Sequence, residues 1–144
     1  MTKAKGRVKQ EQRLVNMAAP APADTDVRWY PPDPEHDECY PINFLIGDDE
    51  RIVGRVQFDQ ANRMTEFSLK AQIYFAGSWW DVVRFCTDHA EVHVHFYYRT
   101  RTYTEREVLY PIRCQDDVDR GYMDADKMLV VNWEDYVRRW HGGA

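Results

Sequence analysis

Cysteine is scarce: Cys39, Cys86 and Cys114 are the only three in 144 residues, and no two of them form a Cys-x-x-Cys pair. An odd count without that spacing argues against a disulfide framework and against a zinc ribbon. Long apolar runs are missing as well. Nothing approaches the roughly 18 apolar residues that a spanning helix needs. Leu14-Val15 is the nearest thing to an apolar core behind the basic N-terminal residues, so no secretory signal and no membrane partner are expected. The chain lacks a P-loop, G-x-G-x-x-G, G-x-S-x-G and H-E-x-x-H; no cofactor is expected. Excess positive charge is also missing. Lys+Arg 19 against Asp+Glu 24 gives a net charge of -5, which excludes a generally basic nucleic-acid binder. A cytoplasmic location is the expectation.

What is present fits one domain with one core. Residues 1–13 hold Lys3, Lys5, Arg7, Lys9 and Arg13 against Glu11, a net +4, so the remaining residues carry -9. With the Pro/Ala-rich stretch 17–26, residues 1–26 read as a basic, extended arm and linker. Residues 27–50 read as a Pro-rich segment wrapping the body, anchored by Trp29, Tyr30 and Tyr40, and residues 51–144 as the folded domain. The run Asp33, Glu35, His36, Asp37, Glu38 and Cys39 is rich in ligand atoms, but its spacing matches no metal loop and it reads as a solvated segment.

Within the domain, Phe67, Leu69, Ala71, Ile73 and Phe75 alternate with polar residues as a half-buried strand should. Strands are also expected at Ile52–Phe58, Trp79–Phe85, Val92–Tyr98 and from about Thr102 to Leu109, joined by short loops such as Ala76-Gly77-Ser78. Leu129, Trp133, Tyr136/Val137 and Trp140 then form one helical stripe, with Asp124 as its N-cap and Gly142-Gly143 as its end. The expected fold is α+β: a four- or five-stranded antiparallel meander with one C-terminal amphipathic helix on one face.

One strand sorts chemistry onto a face. Val92, Val94, Phe96 and Tyr98 point one way, and Glu91, His93, His95, Tyr97, Arg99 and Arg101 point the other. Arg84 and His89 could reach the same end. Metal-independent RNA cleavage would use His93, His95 and His89 as acid and base, with Arg84, Arg99 and Arg101 on the phosphate and Tyr97 stacked on a base. A metal bound by His93 and His95, with His89 or Glu91 as third ligand, ranks second because the arginines disfavour a cation. An ordinary solvent-facing sheet side carries the same residue types without any chemistry. Cys86, at a strand end, reads as a buried bystander.

The residues Trp79, Val82-Val83-Arg84-Phe85, His89, the His93-x-His95 pair and Asn132-Trp133-x-x-Tyr136 carry a resemblance. Phe67 to Trp140 resembles a family of small uncharacterised actinobacterial and phage-encoded domains, which are similar to the TumE-like toxins of toxin–antitoxin pairs. Cys86 stands where that pattern has an acid, and Ala90 where it has a glycine. The resemblance implies an α+β fold and a ribonuclease-type toxin whose partner is a small antitoxin. Two functions follow: an RNA-cleaving endonuclease, or a non-catalytic interaction or assembly protein, for example phage-encoded, docking through the basic arm and the Pro-rich segment. The partner classes are accordingly an antitoxin or an assembly neighbour, RNA, and a second copy in a homo-oligomer.

Overall fold

The computed structural model describes residues 27–31 and 38–142. The basic arm, the Pro/Ala-rich linker and most of the ligand-rich run at 33–39 lie outside these residues. Six strands form one antiparallel sheet in sequence order: β1 (Glu38–Gly47), β2 (Glu50–Phe58), β3 (Met64–Phe75), β4 (Ser78–Cys86), β5 (Glu91–Phe96) and β6 (Glu105–Pro111). Two helices follow, α1 (Gln115–Val131) and α2 (Trp133–Gly142). None of the helices among the described residues is long and apolar enough to cross a membrane.

Local chemistry sets the turns. Asp59 accepts from the backbone N–H groups of Ala61 and Arg63, each at 2.9 Å, and closes the β2–β3 turn. Ala76 and Gly77 both have positive φ, 53° and 88°, the two-residue geometry whose twist matches a hairpin. The β4–β5 connection is a short 3-10 turn, Asp88–Ala90, in which His89 and Ala90 also adopt positive φ.

The expected meander and its α+β class are present, but with six strands and two helices among the described residues. The additional strand is β1. Its Pro41 sits on an edge strand, where a missing N–H is tolerated because only one side of the strand must pair. The expected single helix is two helices separated at Asn132, whose backbone leaves helical geometry (φ -107°, ψ 11°). Asp124 does not cap a helix; it lies within α1 and accepts a hydrogen bond from the Tyr110 hydroxyl at 2.7 Å. The first half of α1 escapes a hydrophobic pattern because its inward face is Val118, Gly121 and Ala125, mostly small residues. They are small because the helix lies close to the sheet: a Cβ on Gly121 would stand 2.7 Å from a Val92 methyl.

Both helices cover the same sheet face, where Ile52, Phe67, Leu69, Ala71, Val83, Phe85, Val92 and Val94 form the core with Val118, Leu129 and Trp140. Trp140 is 1% exposed and meets Phe75 and Trp80 edge-on. Burying that indole holds α2 on β4. Trp140→Ala should therefore lower the unfolding free energy by about 3–5 kcal/mol. Val130→Ala, at a 74% exposed position of α1, should stay within about 0.5 kcal/mol; urea titrations of both variants provide the comparison.

Candidate functional site

The β4–β5 hairpin builds the site. Its register opposes Arg84 to His95 and Cys86 to His93, while Phe85 and Val94 between them point into the core. Side chains alternate across a strand, so Arg84, Cys86, His93 and His95 share the face without helices. Cys86 Sγ lies 3.2 Å from His93 Nε2, and the two imidazole centroids are 4.8 Å apart. Donor atoms of Cys86, His93 and His95 all lie within 4.8 Å of one another. The Cys86 thiol also donates toward Asp88 Oδ2 at 3.7 Å.

Among the described residues no helix lies on this sheet face, yet His93 is only 1% exposed. Arg106, opposite His95, reaches Glu91 Oε1 at 2.8 Å and so runs past His93, whose own cross-strand partner is Val108. Arg28 approaches the other Glu91 oxygen at 3.6 Å. Burial then sets the protonation states. It pushes the Cys86 thiol up to about 11, with the negative charge of Asp88 acting in the same direction. Burial also lowers both imidazoles, aided at His93 by Arg106; His95 falls to about 4 because Arg84 and His93 add to desolvation. At neutral pH the trio is a thiol and two uncharged imidazoles. His93 Nδ1, His95 Nε2 and Arg84 Nε are buried without a hydrogen-bond partner, an arrangement that costs on the order of 1–3 kcal/mol for each atom left unmet.

Of the residues singled out from sequence, Arg84, His93 and His95 come together, and burial also raises the Tyr97 phenol beside Arg84. The others lie elsewhere. His89 is exposed in the turn and lines a small cavity with Trp29, Thr87 and Ile112. Arg99 lies 5.6 Å from the Phe75 ring, and its backbone N–H bonds to Trp140 O. Arg101 stacks on Tyr98 and Tyr103. The strand ends at Phe96, so the alternation that would have carried the arginines along the histidine face does not continue.

Cys86, Asp88 and Arg106 are the members that sequence reasoning passed over. Cys86 was recoverable from the hairpin: a turn over Asp88–Ala90 opposes 86 to 93 and 84 to 95. Arg106 depends on the β5–β6 pairing, which contains a register shift between Val92 and His93 and is invisible to a regular period. Burial of Cys86 also makes the thiols unequal, since Cys39 and Cys114 are exposed. A thiol reagent at pH 7.5 should label two sulfurs rapidly and the third only on unfolding; three equally fast thiols would contradict the site described above.

No curated protein and no solved structure matches the chain. A family model does, over residues 36–144, a span that includes all six strands, both helices and the Cys86–His93–His95 cluster. The chain therefore belongs to the family described as Domain of unknown function (DUF7718).

Proposed function

We propose that this chain is a non-catalytic interaction or assembly protein, and that its described docking element is β1, which pairs with β1 of a second copy. The observation that carries this reading is the contrast between the two sheet edges. The β6 edge holds Glu105, Arg106 and Glu107, charges that discourage further strand addition. The β1 edge holds Ile42-Asn-Phe-Leu-Ile46 without a charge, and Phe44, Leu45 and Ile46 are 49%, 65% and 43% exposed. Such a strand is a template for another strand.

A second copy suits the residues. In an antiparallel two-fold pairing centred on Asn43, Ile42 opposes Phe44 and Pro41 opposes Leu45, at the cost of the one ladder bond per copy that Pro41 cannot donate. Glu38 is the sole charge of the strand, and in this register it faces Asp48 of the second copy at the outer ends of the pairing, away from the apolar centre. The Pro-rich segment 27–50 contains β1, so a docking role for that segment is consistent with pairing at this edge.

The toxin-like ribonuclease draws less support. His93 is enclosed, and His95, lowered to about 4, holds no proton for a leaving oxygen at neutral pH. Arg99 and Arg101 are not beside either histidine. The remaining support is the resemblance to toxin domains together with Arg84 and Tyr97.

Sedimentation of the full chain at tens of micromolar should show a dimer, and Leu45→Lys should convert it to monomer without loss of helical and strand content. A wild-type monomer, or a dimer indifferent to Leu45→Lys, would overturn the proposal. So would RNA cleavage by the purified chain that His95→Ala abolishes.

A further inference from the structure

We infer that Cys86, His93 and His95 form a binding site for a thiophilic d10 cation, zinc(II) or copper(I). The site stands on β4 and β5, in the interior of the sheet and away from β1, and does not depend on the docking role of that edge.

Three observations converge. The first is distance. An ion holding a thiolate at about 2.3 Å and imidazole nitrogens at about 2.0 Å sets its donors roughly 3.5 Å apart. Cys86 Sγ and His93 Nε2 already stand at 3.2 Å, and no pair in the trio exceeds 4.8 Å. Closing the widest pair takes little more than a rotamer adjustment of His95, the only half-exposed member. The second is unmet valence. His93 Nδ1 and His95 Nε2 are buried and find no hydrogen-bond partner among the described residues. A buried imidazole nitrogen without a donor or acceptor is unusual in a packed protein, and a cation supplies what the surroundings lack at His95. The third is the donor set itself. One sulfur and two imidazoles suit soft or borderline ions, and they exclude magnesium and calcium, which take oxygen.

Arg84 and Arg106 face the same site, so the ion must bring little net charge with it. The thiol meets that condition. On binding, the Cys86 S–H bond breaks, the sulfur's electron pair forms the metal–sulfur bond, and one proton leaves to solvent. Copper(I) with the thiolate is then neutral. Zinc(II) is left with one positive charge, opposed by Asp88, whose Oδ2 lies 3.7 Å from the sulfur. Three protein ligands leave a fourth position on zinc open.

The test uses the full chain, freed of metal by a chelator and carrying no affinity tag. Zinc chloride, and separately copper(I) under reducing anaerobic conditions, are titrated against a chromophoric competitor. One ion per chain is expected, with release of about one proton in weakly buffered solution at pH 7. Cys86→Ala and His95→Ala should each weaken binding by about 100-fold or more. Cys39→Ser/Cys114→Ser and His89→Ala should leave it unchanged. Because Cys86 is buried, His95→Ala, at a half-exposed position, is the variant that separates lost ligation from lost folding. The stronger of the two titrations identifies the ion. Absence of stoichiometric binding to either ion, or binding that persists in Cys86→Ala and His95→Ala, would overturn the site.

Discussion

The register of one hairpin governs the chemistry of this molecule. Between β4 and β5 the chain turns in the few residues of Asp88–Ala90, and it does so by placing His89 and Ala90 in left-handed backbone. Neither is glycine, so each conformation is disfavoured by a side chain and must be held by the ladder on either side. A turn one residue longer or shorter would move the whole of β5 to the opposite face. Val92 and Val94 would leave the core, and His93 would leave Cys86. The same turn therefore seats the helices and assembles the polar cluster.

Once the helices occupy one face, the other must resolve its own packing. Around His93 no helix among the described residues covers it. The long Arg106 side chain crosses to Glu91 and keeps its own charge paired. A thiol and two imidazoles enclosed in this way lose their charged forms, because burial penalises charge and the two arginines nearby oppose any further cation on the imidazoles. Neutral imidazoles are poor general acids but have a lone pair free for an ion, whereas the Cys86 thiol becomes a ligand only by giving up its proton. The electrostatics that weaken a hydrolytic role thus leave the imidazoles free to ligate and couple ligation by Cys86 to proton release.

The two edges of the sheet show a different economy. At β6 the edge residues are charged, and Tyr98, Glu105 and Arg139 tie the strand to α2. At β1 the helices do not extend far enough to cover the strand, and Phe44, Leu45 and Ile46 remain in water. An apolar exposed edge is a liability to an isolated molecule and an asset to one that assembles.

Sequence alone was enough for the class of the fold, because a two-residue period in Phe67–Phe75 and a helical period in Leu129–Trp140 are local signals that survive without knowledge of partners. It was also enough to sort β5 into an apolar and a polar face. It misjudged Glu38–Gly47, since proline argues against a strand except at an edge, and an edge is defined only by the neighbour that is missing. It missed the start of α1 because the inward face there is mostly small, and Gly121 is small for a reason that lies on Val92. Tertiary structure alone decided that Cys86 meets His93, that Arg106 pairs with Glu91, and that Arg99 and Arg101 turn elsewhere. Those outcomes depend on register and on where a strand ends, and neither is carried by any residue taken singly.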